Sequence, residues 1–203
     1  MTEIGLFPLE LVLLPTERVP LHIFEPRYKE LIGECLRSGR EFGLVLQDDS
    51  GRREIGTRAA VVEVLQIFDD GRMNVVVEGH DRFRLRALTS GRDFLTGDVE
   101  PVDDDDDEVD AGDTEQALTL FRQLVEAAGG EVDEPDETSG ALSFQIGARI
   151  DFGIEPKQEL LELRSEPARL RHLCPLLEAA IEAVQREREI RERAATNGKV
   201  SPG

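Results

Sequence analysis

Chemistry by protein side chains needs a nucleophile beside a base, or acid and base groups gathered at one point. The three histidines, His22, His80 and His172, stand apart in the sequence, and none of the seven serines lies in a Gly-x-Ser-x-Gly elbow. Cys35 and Cys174 each fall within a helical apolar pattern, which suits small buried hydrophobes better than a disulfide or a metal site. The consecutive aspartates Asp103 to Asp107 invite a calcium reading. A loop starting at Asp103 puts Asp105 and Asp107 at the third and fifth positions. Glu108 then replaces the glycine that the turn needs, and Thr114 replaces the bidentate glutamate. Nowhere does Gly-x-x-x-x-Gly-Lys-Ser/Thr occur, so no phosphate-cradling loop is available. These residues predict no catalytic group, no metal site and no cofactor. What remains is a row of cations, Arg82, Arg84 and Arg86, on one face of an alternating segment. It reads as a solvent face paired with carboxylates, or as a landing strip for an acidic partner.

The elements that must position these groups divide the chain in two. Residues 4–101 read as β-rich around one helix. Ile4 to Leu14, interrupted by Pro8, reads as two short strands or a bent edge strand. Pro26 opens a helix with Tyr28, Leu31, Ile32, Cys35 and Leu36 on one stripe, closed by Gly39. Phe42 to Leu46 and the Val-rich run Ala59 to Phe68 are strands. Asp69-Asp70-Gly71-Arg72 then marks a hairpin back into Met73 to Glu78. Arg82 to Ala87 and Phe94 to Val102 add two more strands, a set that suits a compact, partly closed barrel.

After the aspartates the pattern becomes helical. Asp113 and Gln116 offer a capping pair for a helix carrying Ala117, Leu118, Phe121, Leu124 and Val125, stopped by Gly129-Gly130. Ser139 is expected to cap a helix with Leu142, Ile146 and Ile150. Pro156 is expected to open a short one, and Ser165 a long one in which Pro175 should kink or divide the helix. The predicted layout is a β-rich subdomain over 1–102, an acidic linker over 103–113, a helical subdomain over 114–194 and a disordered tail over 195–203.

The chain has 203 residues, 39% of them hydrophobic and 33% charged, with a net charge of −19. That acidity opposes nucleic acid, whose phosphates need clustered Lys and Arg, and disfavours anionic membranes. It suits basic or unfolded partners. No apolar run approaches the roughly 18 residues of a membrane span, and the first residues lack the basic start of a secretory signal. The expectation is a cytoplasmic protein.

Four stretches carry a resemblance. Leu6-Phe7-Pro8-Leu9, Val12-Leu13-Leu14-Pro15 and Val19-Pro20-Leu21-His22-Ile23-Phe24-Glu25-Pro26-Arg27-Tyr28 form the first. Glu54-Ile55-Gly56-Thr57 leading into Val61 to Ile67 is the second, and Val75-Val76-Val77-Glu78-Gly79 with Arg82 to Leu85 the third. Ile154-Glu155-Pro156-Lys157-Gln158-Glu159-Leu160-Leu161-Glu162 is the fourth. In this order, over about 4–185, they resemble the Lon protease N-terminal, substrate-binding domain family, and especially its free-standing bacterial members. The resemblance implies an α+β fold, with an N-terminal PUA-like β-barrel subdomain containing one helix, then a C-terminal α-helical bundle. It implies a non-catalytic protein- or peptide-binding module standing without ATPase or protease, in protein quality control or as an adaptor. Its partners would be unfolded or exposed apolar segments, with a Lon-type protease as a second candidate. An apolar cleft between the halves is expected, rimmed by acidic groups, with Pro20, Leu21, Ile23, Phe24 and Tyr28 as its wall. The alternative is a small-molecule-binding or sensory protein using an interdomain pocket. The sequence leaves the oligomeric state open.

Overall fold

Ile4 and Leu6, then Gly43 and Val45, face the same interior from alternating positions of two strands that run side by side, and that pairing closes the β half on itself. The computed structural model describes residues 2–131 and 134–197. Its elements are β1 (Thr2–Leu9), β2 (Arg18–Ile23), α1 (Pro26–Ser38), β3 (Phe42–Asp48), β4 (Gly51–Arg52), β5 (Ile55–Ile67), β6 (Met73–Thr89) and β7 (Thr96–Pro101). The helices α2 (Ala111–Ala128), α3 (Leu142–Gly147), α4 (Ile154–Glu162) and α5 (Glu166–Asn197) follow. The unstructured tail expected from 195 lies outside the described residues beyond 197.

The strands follow the order β1-β7-β6-β5-β3, and β3 pairs in parallel with β1, so five strands form a closed ring. β1 serves both neighbours in turn: Thr2 to Gly5 pair with β7 and Leu6 to Leu9 with β3. Its Pro8 sits past the β7 pairing, where a missing N–H costs no rung there. Ile4, Leu6, Val45, Phe83 and Val99 fill the ring. α1 behaves as its sequence dictates: Pro26 stands at its start, and Gly39 closes it at φ 67°, its N–H donating to Cys35 O. It lays Tyr28, Leu31, Ile32 and Cys35 on Phe7, Phe42, Val75 and Val77.

β6 overturns one expectation. Met73–Thr89 is a single 17-residue strand rather than the separate strands Met73 to Glu78 and Arg82 to Ala87. Gly79 is present for close approach instead of a turn, since a Cβ there would lie 2.2 Å from Leu14 O. The loop passes so near that Thr16 N–H donates to Gly79 O and Gly79 N–H donates to Glu17 O.

Two further expectations change in the helical half. The α2 cap is Asp110, whose side chain accepts from Gly112 N–H, rather than the Asp113–Gln116 pair. α3 ends at Gly147, so Ile150, expected on it, lies beyond its end, and Gly153, at φ 86°, precedes α4. Ser165 does cap α5, accepting from Ala168 N–H. Pro175 does not divide α5, because Leu170, Leu173, Cys174 and Leu177 on both sides of it bury into one core. That core takes Val12, Leu14, Leu46 and Ile55 from the β half together with Phe121, Phe144 and Leu160 from the helices. The halves therefore share a hydrophobic centre.

Candidate functional site

The ring occupies only part of β5 and β6. Beyond Ala59, where the β3 pairing ends, β5 runs on to Ile67 with β6 as its partner, and β2 lies along the other side of β6. The result is a three-stranded arm, β5-β6-β2, turned at Gly71 (φ 79°) as the Asp-Gly signal predicts. Along 61–67 the outer edge of β5 pairs with no other described strand. Two register shifts leave Val62 and Leu65 without Cα partners, as bulged residues.

Apolar side chains follow this geometry. Met73, Val75 and Val77 are buried on the face that meets α1, and the residues opposite them on β5 are Ile67, Val64 and Val61. Paired residues share a face. The stripe therefore continues onto β5, where it is no longer covered: Ile67 is 65% exposed and Val64 39%. The bulged Leu65 and Val62 are exposed as well. At the tip His22 lies with its ring centroid 5.9 Å from Phe24 and 6.2 Å from Phe68, its Nδ1 2.6 Å from Asn74 Oδ1. Lys29 Nζ donates to Asp70 O, tying α1 to the hairpin.

The residues singled out from sequence divide here. Phe24, 59% exposed, and Pro20 lie with His22 on the outer face of β2, while Leu21 is half-buried on the inner one. Ile23 and Tyr28 are core residues. Tyr28 stacks on Phe7 at 4.0 Å between ring centroids, and burial pushes its phenol up from its ordinary pKa. Sequence reasoning passed over Val62, Val64, Leu65 and Ile67. The signal was present, because Val61-Val62-Glu63-Val64-Leu65-Gln66-Ile67 puts apolar residues on both faces where a half-covered strand would alternate.

Comparison with known families decides the kinship. The model of the ATP-dependent protease La (LON) substrate-binding domain matches residues 3–179. The chain belongs to that family. The Lon protease 1 of Hydrogenovibrio crunogenus is 27% identical over 91% of this chain, and the Lon protease of Anaeromyxobacter dehalogenans 29% over 94%. The chain spans about a quarter (24%) of the length of each. A crystal structure of a Lon N-terminal domain protein from Xanthomonas campestris is similar with a TM-score of 0.68 and 26% identity, over 85% of this chain and 97% of that one. The N-terminal domain of the Mycobacterium avium complex Lon protease shares the fold at a TM-score of 0.67 and 16% identity, over 87% and 98%. The chain thus has the mixed α+β fold of Lon N-terminal domains, and its described residues form a ring of five strands and five helices.

In this Lon-family chain the seam between the halves carries buried charged groups beside the shared apolar core. Arg82, expected on a solvent face, is buried; its Nη1 donates to the carbonyls of Leu161 and Leu163 at the end of α4, which have no further helical turn to bond. Arg169 is fully buried and donates to Ser143 Oγ, Leu163 O, Glu166 and Asp104. Phe144 lies under both guanidinium groups, at 5.3 Å and 4.3 Å. Asp104, the second residue of the aspartate run, therefore turns inward and accepts from both arginines. Burial opposes the charge of each. For Arg169 the carboxylates of Asp104 and Glu166 outweigh it and hold the pKa above the ordinary value. Arg82, helped by Asp104 but facing Arg169, stays below its own. Glu17 adds a second buried pair across the seam, accepting from Lys157 Nζ at 2.5 Å. Arg84 and Arg86 do face solvent, paired with Glu54 and Glu100.

The histidines are separated in space. His80 Nδ1 lies 2.6 Å from Glu41 Oε1, on the ring, and His172 lies on α5. Among the described residues no group of three or more His, Cys, Asp or Glu side chains is arranged to hold a metal, and no helix is long and apolar enough to cross a membrane.

Proposed function

We propose that the chain is a non-catalytic polypeptide-recognition module that captures exposed apolar segments of unfolded protein on the β5-β6-β2 arm. The observation that carries this reading is the uncovered continuation of a core stripe through Val64 and Ile67, with the bulged, exposed Leu65 and Val62 beside it on β5. Uncovered apolar surface of this kind marks interaction sites, and the unpaired edge of β5 adds backbone donors and acceptors for an extended segment. Of the residues singled out from sequence, Leu21 shares the face of this stripe, with Ile23 and Tyr28 in the core beneath, while Pro20 and Phe24 offer a secondary contact on the opposite face of the arm. Kinship with a substrate-binding domain supports the same role. The net charge of −19 makes basic, apolar segments the preferred clients and makes capture salt-sensitive. A quality-control or adaptor role, in the cytoplasm and alongside a Lon-type protease, follows from the same reading. So does the assignment of ring and helices to a PUA-like barrel and a helical bundle.

The test is fluorescence anisotropy of labelled unfolded peptides, apolar-basic, apolar-acidic and polar, at two salt concentrations. Micromolar affinity for the apolar-basic peptide, weakened by salt and by Ile67→Asp, is the expected result. Absence of binding by any peptide up to about 100 μM, weaker than about −5.5 kcal/mol, refutes the reading.

A further inference from the structure

A second opening lies on the ring at a distance from the arm. On the edge of β1 that faces β3, the parallel ladder begins only at Leu6↔Gly43, so Thr2 to Gly5 have no partner there, although β7 pairs their other edge. In a strand the backbone groups alternate between edges, so about half of those in this stretch point into the gap. The gap is a cavity of about 400 Å³. Its floor is apolar, made by Leu31 and Cys35 of α1 with Phe94 before β7. Gly5 packs directly on that floor, since a Cβ there would lie 2.3 Å from Leu31 Cδ1 and 3.0 Å from Phe94 Cε2.

Charge around the cavity is unlike the rest of the molecule. Three arginines and three glutamates line it, so it is neutral within a chain of net charge −19. Arg92 and Glu34 are joined by a two-pronged bond of 3.0 and 3.1 Å, and Glu41 is held by His80. Glu3 and Arg40 line opposite walls of the cavity, one on β1 and one ahead of β3. Neither makes a side-chain hydrogen bond or ion pair among the described residues.

We propose that this cavity is a second binding site, independent of the arm, that takes a short extended peptide as an added strand along Thr2 to Gly5. A bare backbone edge asks for another backbone, and a small apolar molecule would leave it unmet. Side chains two apart on a strand share a face. The fitting segment therefore carries an apolar residue for the Leu31–Phe94 floor, with an acidic residue two positions to one side for Arg40 and a basic residue two positions to the other for Glu3.

The probe is acetyl-Asp-Thr-Leu-Thr-Lys-amide titrated into the ¹⁵N-labelled full chain, followed by amide NMR. The expected result is saturable shifts confined to Thr2 to Gly5, Leu31 to Cys35 and Arg40, weakened about tenfold or more by the surface change Arg40→Glu and by N-methylation of the peptide leucine. No shifts at those residues up to about 1 mM peptide overturns the proposal, as do shifts confined to Val62 to Ile67, which would return the peptide to the arm. Equal binding of the N-methylated peptide, or of acetyl-leucine-amide alone, overturns strand addition. Ile67→Asp separates the two sites: it is expected to abolish capture on the arm and leave this titration unchanged.

Discussion

Replacing Arg169 with leucine tests whether the buried charges at the seam hold the two halves together. Arg169 is fully buried and shares its donors among Glu166, Asp104, Ser143 and the Leu163 carbonyl. Leucine fills much of the volume but strands two carboxylates. They differ in access to water: the Asp104 side chain is 35% exposed and can rehydrate, whereas that of Glu166 is 8% exposed and cannot. The Asp104 share is then about 1 kcal/mol or less, since Arg82 still serves it. The Glu166 share is about 3 to 5 kcal/mol, the cost of leaving one buried partner alone. A domain of this kind is stable by about 5 to 15 kcal/mol, so Arg169→Leu should remove about a fifth of the total or more. Urea unfolding followed by circular dichroism measures it, with the exposed Arg171→Leu as a control expected within about 0.5 kcal/mol. The double change Arg169→Leu with Glu166→Leu should recover most of the loss, because it removes the stranded charge. A loss below about 1 kcal/mol for the single variant, or a double variant no better than the single, refutes the reasoning.

Other expectations follow from single contacts. Gly79→Ala forces a Cβ against the Leu14 carbonyl and should cost about 2 kcal/mol or more, a fall in Tm of roughly 4 °C or greater by calorimetry. Gly130→Ala, with only ordinary contacts at 3.9 Å, should not lower Tm. On the arm, Ile67→Asp should shift stability by less than about 0.5 kcal/mol while weakening apolar peptide capture at least about tenfold; a matching loss of stability would mean the side chain is packed rather than presented. Burial pushes the Cys35 thiol up to about 11, so its alkylation by iodoacetamide at pH 8 should run on the order of 100-fold slower than that of a free thiol. The folded state holds that proton more tightly than the unfolded chain. Its contribution to stability is therefore complete below the unfolded thiol pKa and is lost as pH rises towards about 11, visible as a falling urea midpoint.

Much of the local structure was legible because local rules decide it. Pro26 and Gly39 bound α1, Asp70-Gly71 turns the hairpin, and Gly129 ends α2 at φ 73°. Misreadings cluster where distant chain intervenes. Gly79 looks like a break until the 14–17 loop is seen lying against it, and Arg82 looks solvent-facing until α4 brings two unpaired carbonyls onto it. An aspartate run gives no hint that Asp104 alone turns inward, because its partners lie at 82 and 169. For the candidate site, the family-like stretch around Pro20 to Tyr28 led to β2, the outer strand of the arm, and to α1 beside it. It could not separate buried Ile23 and Tyr28 from exposed Phe24, since that depends on where α1 stops covering the sheet.

Closure of the ring also sets an order of events. β1 completes its pairing only against β7, so residues 2–5 wait for residues 96–99, and each of these rungs spans more than ninety positions of chain. Contacts of such long sequence separation form slowly, because the loop must close before they reward it. During synthesis from the N-terminus, β1 leaves the ribosome well before β7 and stays unlocked along this edge until that strand follows. Until then β1 and the arm both present open strand edges to the cell, and the acidic surface keeps those edges apart between molecules.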